Sequence, residues 1–187
     1  MKLFIISDIH GSLIAFEKAL NQFEKENADY LVICGDFLNH GPRNNIPAGY
    51  DTKKLAEKLN SYKEKIIGIR GNCDSEVDQM ILDFPMMAPF SNIFLETKHR
   101  VFIHHGHLFS ENELRNFLSE KSIVVSGHTH VPVLENNGDL IFVNPGSISI
   151  PKSDSKPGYA LINADNGSVN ISLHTLEGEK LKSLDFS

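Results

Sequence analysis

Short runs of consecutive apolar residues recur along the chain, and polar residues or glycine follow most of them. Residues 3–6 and 30–34 form the first two runs, and unbroken apolar runs of this length are typical of strands buried on both faces of a sheet. Between them, apolar residues recur at spacings of three and four. They predict an amphipathic helix that Ser12 can cap and that reaches about Lys25. This strand–helix–strand order predicts a parallel crossover unit.

The remaining chain continues this alternation and then becomes rich in short strands. Residues 37–50 are irregular, and long loops at this edge of a sheet are usually functional or mobile. The predicted elements are helices over 51–62, 75–82 and 110–119, and strands over 65–69, 92–96, 100–104, 122–126, 131–135, 140–144, 159–163 and 169–174. Residues 136–139 and Asp165-Asn166-Gly167 are typical of hairpin turns. We expect one α/β domain over residues 1–187, in which two sheets pack face to face with helices outside.

The composition is that of an ordinary globular protein, with 187 residues, of which 41% are apolar and 22% charged. A net charge of -6 argues against a long nucleic acid as the main partner, because such partners usually require a basic face. A small phosphorylated substrate remains compatible, since bound divalent cations would reverse the local field. Cys34 and Cys73 form no disulfide framework. Residues 1–6 predict a strand rather than a signal peptide, and no segment is long enough to span a membrane, so we expect a cytoplasmic protein with no membrane partner.

Ligand-type side chains follow the predicted strands at the points where they end. These residues are Asp8, His10, Asp36, Asn72, His105, His128 and His130. Ligands of open α/β sheets collect outside the carboxyl ends of the strands, so these side chains are expected to meet there. The two last histidines stand two positions apart after the 122–126 strand. In an extended chain both imidazoles would face one place, because the side-chain period is two.

Such a set of donors predicts more than one metal ion. Two carboxylates, four imidazoles and one amide are too many for one tetrahedral zinc, and they suit two divalent ions that share a ligand. Mixed oxygen and nitrogen donors favour manganese, iron or zinc over calcium and magnesium. Paired metals stabilise the attacking and leaving oxygens of an in-line displacement, and a water on such a metal loses its proton near neutral pH. Phosphate ester hydrolysis is the reaction that most needs this arrangement.

The same segments resemble a known family. The five ordered motifs of the calcineurin-like metallophosphoesterase superfamily are similar to Asp8-Ile9-His10, Gly35-Asp36, Gly71-Asn72, His105-Gly106-His107 and Gly127-His128-Thr129-His130. Within that superfamily, residues 38–44, 70–80 and 144–152 closely resemble the bacterial YfcE-type phosphodiesterases. The resemblance runs through nearly the whole chain, to about Tyr159.

The resemblance implies a four-layer αββα sandwich of two mixed sheets, with a dinuclear metal site in the loops at one edge. By motif, one metal would be held by Asp8, His10 and His130. The other would be held by Asn72, His105 and His128, with Asp36 as the bridge. Asp36 and Asn72 thereby also belong to the expected catalytic machinery. Manganese is the expected metal, with nickel, cobalt, iron and zinc as alternatives.

One position departs from the family pattern. Many members carry histidine after the Gly-Asn pair, where it contacts phosphate, whereas this chain has Cys73. A thiol is a poor general acid for an alkoxide, so our candidate for the general acid is His40. The alternative interpretation is that His40 is a loop histidine with a structural hydrogen bond. Arg43 either binds a phosphate oxygen or caps its loop, and Cys73 either fills space or is a reactive thiol. Together with Asn39, these residues form the expected substrate-contacting set.

The expected function is a metal-dependent phosphodiesterase that acts on small phosphodiesters. A phosphomonoesterase or nuclease of the same fold is the first alternative, and a non-catalytic protein-binding scaffold is the second. Relatives that have become scaffolds tend to lose metal ligands, and each ligand position here holds a competent residue. The apolar run over residues 84–90 leaves core packing and a homo-oligomer contact as open interpretations.

Overall fold

The computed structural model describes residues 1–165 and 167–186. Its helices are α1 (Leu13–Glu26), α2 (Thr52–Asn60), α3 (Glu76–Gln79) and α4 (Glu111–Phe117), with a 3-10 turn over Lys63–Lys65. Its strands are β1 (Lys2–Ile6), β2 (Tyr30–Ile33), β3 (Ile66–Gly68), β4 (Phe90–Phe94), β5 (Arg100–His104), β6 (Ser122–Val125), β7 (Pro132–Asn136), β8 (Leu140–Pro145), β9 (Gly158–Asp165), β10 (Ser168–Thr175) and β11 (Lys180–Phe186). No helix in this part of the chain is both long and apolar enough to span a membrane.

The strands form two mixed sheets, each built around a parallel block. The first sheet has the order β11-β10-β9-β1-β2-β3, in which β1, β2 and β3 are parallel to one another. The second has the order β4-β5-β6-β8-β7, in which β5, β6 and β8 are parallel. In the first sheet the antiparallel strands β9, β10 and β11 all lie on the β1 side of the block, whereas in the second sheet β4 and β7 lie on opposite sides. Each sheet therefore has one edge at which the carboxyl ends of several strands meet.

Strand β1 shows how the layers are built. Leu3 and Ile5 pack between the sheets, against residues of the second sheet such as Ile103 and Ile123. Phe4 and Ile6 point to the opposite face and pack against the helix layer of α1 and α2. Because successive side chains of a strand alternate between faces, a run that is buried on both sides is apolar throughout. The first sheet therefore lies between a helix layer and the second sheet.

The second sheet is covered on its outer face by α4. Leu114 and Leu118 of this helix region pack against Phe102, Val124 and Leu140. The order of layers is helix, sheet, sheet, helix, which confirms the predicted αββα sandwich.

Most of the predicted elements are present with boundaries shifted by one to three residues. Ser12 accepts a hydrogen bond from the Ala15 amide as the N-cap of α1, as its position predicted. The prediction missed β11, an edge strand whose residues are mostly exposed. Within the apolar 84–90 run, Phe84 and Met86 belong to the core. The predicted turn at Asp165-Asn166-Gly167 includes a residue that lies outside the described ones.

Candidate metal centre

The ligand-type residues leave the strand ends with an unusual backbone. Five of them have positive φ angles, which are 54° at Asp8, 48° at His10, 56° at Asp36, 67° at His128 and 62° at His130. Asp, Asn and His tolerate this left-handed region better than other residues with side chains. Strand β6 ends at Val125, and the positive φ angles at His128 and His130 replace the extended path that would let both imidazoles face one place. Their turn sends the two imidazoles to different neighbours.

Three of these residues meet around one point, which we call site one. The Nε2 atom of His130 lies 3.2 Å from Asp8 Oδ1, and His10 Nε2 lies 3.6 Å from the same oxygen. The two Nε2 atoms are 3.3 Å apart. A carboxylate oxygen and two ring nitrogens thus converge closely enough to hold one metal ion.

A second group meets beside it, which we call site two. The amide oxygen Oδ1 of Asn72 lies 3.0 Å from His105 Nε2 and 2.6 Å from His128 Nδ1. The other end of the amide donates to Cys73 Sγ over 3.2 Å, which turns the oxygen towards the imidazoles.

Asp36 lies between the two sites. Its Oδ2 atom is 3.6 Å from His10 Nε2 of site one and 3.5 Å from His105 Nε2 of site two. Its other oxygen, Oδ1, accepts a hydrogen bond from the Cys73 amide at 2.8 Å. One carboxylate oxygen therefore faces both sites, while the other fixes the orientation of the group.

Backbone carbonyls set the direction in which three of the imidazoles present their lone pairs. The Nδ1 atom of His10 donates to Asn39 O at 2.8 Å, that of His105 to Cys34 O at 2.6 Å, and that of His130 to Ile150 O at 2.8 Å. With the proton on Nδ1, Nε2 carries a lone pair, and such outer hydrogen bonds are typical of metal-binding histidines.

The donors of site one fit a cation better than they fit one another. No described residue donates a hydrogen bond to Asp8 Oδ1, although the atom is buried. Its neighbours are the Nε2 atoms of His10 and His130. In both rings the proton is on Nδ1, so neither Nε2 atom can donate to the carboxylate. Buried polar atoms are rarely left without a partner, and a divalent ion would satisfy all three. The residues present therefore fit the metal that their chemistry suggests.

The charges of the centre are strongly coupled. Burial alone would raise the pKa of Asp8, but the adjacent His10 and His130 imidazoles lower it well below its usual range. Burial would likewise raise the pKa of Asp36, and His105 lowers it. For His105, burial is outweighed by Asp36, which raises its pKa to about 9. The carboxylates are thus ionised at neutral pH and attract positive charge, whether a proton or a metal ion.

Asp74 joins the two turns that carry Asp36 and Asn72, and the sequence reasoning assigned it no role. Its carboxylate accepts hydrogen bonds from the amides of Asp36, Phe37 and Gly71, at 2.7 to 2.8 Å. Burial and the nearby Asp36 raise its pKa to about 6. The sequence signal that could have identified Asp74 is a carboxylate two positions after the Gly71-Asn72 pair.

Two glycines allow these turns to approach closely. A side chain at Gly71 would collide with Asp36 Oδ1 and the Asp36 amide. At Gly127 it would collide with Ser7 Oγ and lie 2.8 Å from Asp8 Oδ2. The glycines that precede Asn72 and His128 are therefore required by the space in front of the carboxylates, rather than by a turn conformation.

A cleft of about 620 Å³ opens above the centre. Its lining includes Asn39, Arg43 and Cys73, three of the predicted substrate-contacting residues, and it also includes Lys152, which the sequence reasoning did not single out. Burial, followed by the charge of Asp36, raises the pKa of Cys73 to about 12, so its thiol is protonated at neutral pH.

Three further histidines lie near the centre without joining its ligand groups. The His40 ring packs edge-on against Tyr50 with ring centroids 5.5 Å apart, and its Nδ1 atom is buried without a partner among the described residues. The His104 ring lies beside the rings of Phe102 and Phe109, with centroids 5.7 and 5.8 Å away. The His107 ring is 5.3 Å from that of His105.

Comparisons with known protein sequences identify the family that this chain resembles. The model of the calcineurin-like phosphoesterase superfamily domain matches residues 1–167. Phosphodiesterase YfcE of Escherichia coli strain K12 is 51% identical over 169 residues, which cover 90% of this chain and 91% of that protein. Phosphodiesterase MJ0936 of Methanocaldococcus jannaschii is 30% identical over 152 residues, or 78% of this chain and 83% of its own.

Solved structures agree with the sequence matches. The structure of the phosphoesterase YfcE from E. coli aligns with a TM-score of 0.92 at 46% identity and covers 98% of both chains. The structure of Vps29 from Entamoeba histolytica complexed with Zn²⁺ aligns over the full length of both chains with a TM-score of 0.65 at 17% identity, and so shares the fold. With a domain match over most of its length and a relative at 51% identity, this chain belongs to the calcineurin-like phosphoesterase superfamily.

Proposed function

We propose that this protein is a metal-dependent phosphodiesterase that hydrolyses small phosphodiesters at a centre of two divalent ions. Asp8, His10 and His130 would hold one ion, and Asn72, His105 and His128 would hold the other. Asp36 would bind both. The single observation that carries the proposal is the position of Asp36 Oδ2, which is 3.6 Å from a histidine of one site and 3.5 Å from a histidine of the other.

The chemistry follows from the residues around the cleft. Two ions bound there would supply Lewis acidity and a nucleophile at neutral pH. The protein contributes fixed lone pairs, because the carbonyls of Asn39, Cys34 and Ile150 hold three imidazoles in one tautomer. Arg43 and Asn39 line the cleft and are the candidate contacts to the substrate. Burial of the centre strengthens each of these interactions.

Cys73 bears on which esters react well. A thiol is a weaker acid than an imidazolium and protonates a departing alkoxide poorly. We therefore expect good leaving groups, such as phenolates, to be cleaved fastest. A diester preference is supported by the two relatives that are named phosphodiesterases, at 51% and 30% identity.

The role of His40 stays a prediction. Its neighbours Asn39 and Gly41 line the cleft, while its own ring packs against Tyr50. A role as general acid would require the ring to turn towards the substrate. Replacing His40 with Ala would leave the turnover of an alkyl ester unchanged if the residue is only structural, and would reduce it if the residue donates the proton.

Manganese is the metal we expect, since oxygen and nitrogen donors are mixed in the centre.

A cytoplasmic location is consistent with two cysteines that are free in the structure. A homo-oligomer is compatible with the exposed side chain of Phe90, which is 41% accessible.

The test compares bis(p-nitrophenyl) phosphate with p-nitrophenyl phosphate, after EDTA treatment and after manganese is restored. Asn72→Ala removes one ligand from an exposed position, and Asn21→Ala on the exposed face of α1 is its control. We expect manganese-dependent cleavage that prefers the diester, two manganese ions per chain, and loss of both activity and the second ion in N72A. A monoester preference would instead indicate a phosphatase. Absence of turnover by protein that holds two ions would contradict the enzyme proposal.

A further inference from the structure

Two cationic side chains line the same cleft without an anionic partner. Arg43 and Lys152 are both exposed. Within residues 1–165 and 167–186 neither charged group forms a hydrogen bond or an ion pair, whereas Lys156 pairs with Glu179 and Arg115 pairs with Glu111. Unpaired cations at the wall of a cleft, on a chain with a net charge of -6, indicate a place for a negatively charged ligand.

Both cations stand on segments that are fastened to site one. The loop that carries Arg43 begins at Asn39, whose carbonyl accepts the proton of His10 Nδ1. The segment that carries Lys152 holds His130 twice, because Ile150 O accepts from His130 Nδ1 and the Lys152 amide donates to His130 O at 3.1 Å. The residues of site two have no such attachment to either cation. Both cations are therefore carried by segments whose backbone is anchored to histidines of site one.

The scissile phosphodiester carries one negative charge. Two divalent ions would neutralise it even beside the ionised carboxylates of Asp8 and Asp36, so Arg43 and Lys152 are in excess. From this excess of charge, and on the basis of the proposed function, we infer that Arg43 and Lys152 bind a second anionic group of the substrate. The substrate class is then a phosphodiester with an additional phosphate, phosphonate or carboxylate group on one of its alcohol arms. The guanidinium can bind such a group through two parallel hydrogen bonds, and the ammonium adds a point charge.

A matched pair of esters tests this inference. One is p-nitrophenyl propyl phosphate, and the other carries a terminal phosphonate on the propyl chain, which the enzyme cannot remove as a phosphate ester. Both release p-nitrophenolate and are assayed with the manganese-loaded protein. We expect kcat/KM to be about tenfold higher for the phosphonate-bearing ester, since a charge-assisted contact contributes roughly that factor. The preference should decline as salt is raised from about 20 to about 200 mM, because exposed charges are screened.

Arg43→Gln and Lys152→Gln should each lower that preference several-fold, mainly through KM. Arg115→Gln and Lys156→Gln are the controls, since they remove cations of the same types that lie outside the cleft lining. Equal kcat/KM values for the two esters in the wild-type protein would overturn the inference and leave the phosphodiesterase intact. An equal loss on both esters in R43Q and K152Q would also overturn it, because the cations would then serve the scissile group. Absence of turnover of either ester would refute the proposed function itself, and this inference with it.

Discussion

The carbonyl oxygen of Asn39 accepts a hydrogen bond of 2.8 Å from His10 Nδ1. A residue that lines the cleft thereby orients a buried imidazole of site one. The same residue closes its own turn, because its side-chain Oδ1 accepts from the Gly41 amide at 2.8 Å. Asn39 therefore connects the loop that lines the cleft to the candidate metal centre.

Replacing Asn39 with Ala separates the two functions of this residue. The carbonyl to His10 remains, whereas the side-chain hydrogen bond that shapes the loop is lost. We expect KM for bis(p-nitrophenyl) phosphate to rise about fivefold, from the loss of one hydrogen bond, with kcat and metal content nearly unchanged. Steady-state kinetics and metal analysis check this, and a loss of bound metal would show that the loop conformation itself holds His10.

Asp36→Asn tests the shared ligand. Asparagine tolerates the φ of 56° at this position, so the turn should persist while the charge between the sites is lost. We expect no more than one manganese ion per chain and a fall in kcat of about 10³-fold or more, comparable to the removal of a major electrostatic group. Metal analysis alongside kinetics checks this, and a variant that retains two ions would show that Asp36 does not join them.

Asp74→Asn tests the residue that holds the two turns together. The carboxylate accepts three amide hydrogen bonds, and an amide side chain cannot accept them all, because its NH₂ group would face a backbone N–H. We expect the free energy of unfolding to fall by about 2–4 kcal/mol, with weaker manganese binding. Urea denaturation and metal titration measure the two effects. Asp51→Asn, at the exposed cap of α2, is the control and should change manganese binding little.

The environment of His174 predicts that the free energy of unfolding depends on pH independently of the metal centre. Its ring stacks on Tyr159 at 5.0 Å and its Nδ1 atom is buried without a partner in the described part of the chain. Burial lowers its pKa in the folded protein below 6.5. Between that lowered value and 6.5 the unfolded chain binds more protons, so stability is lost as the pH falls below about 6.5.

Replacing His174 with Phe removes this titration and keeps the stacked ring. The variant is expected to be less stable at neutral pH, since Ser172 Oγ loses its partner at 2.8 Å. Its free energy of unfolding should nevertheless decrease less than that of the wild type between about pH 7 and pH 5. Urea denaturation across this range provides the comparison, and parallel curves for the two proteins would contradict the assignment to His174.

Local sequence patterns predicted much of this molecule. The caps at Ser12, Asp51 and Ser110 are present, because capping depends on residues three positions apart. The strand ends brought the expected residues together, because carboxyl ends of parallel strands share an edge. Contacts between side chains that are distant in the sequence could not be predicted from such local patterns. His10 and His130 are 120 positions apart, and their opposition depends on how two sheets stack.

The errors have specific physical causes. The imidazoles of His128 and His130 were expected to face one place, as in an extended chain, but both residues have a left-handed backbone. Asp74 looked like one more loop carboxylate, since its three backbone partners come from two different turns. Strand β11 lies at a sheet edge with mostly exposed residues, so it lacks the apolar run by which the other strands were recognised.

The left-handed backbone at five of the ligand-type residues couples metal binding to folding. Each such φ angle outside glycine costs on the order of 1 kcal/mol, and the like-charged carboxylates Asp8 and Asp36 add repulsion. Cation binding at these residues would offset this cost, and by linkage the ion would stabilise only the state in which all three turns are formed. Removal of metal should therefore open the turns at this edge before the sheets unfold. Amide hydrogen exchange would then quicken first at residues 8–10, 36 and 128–130, while the strands behind them stay protected.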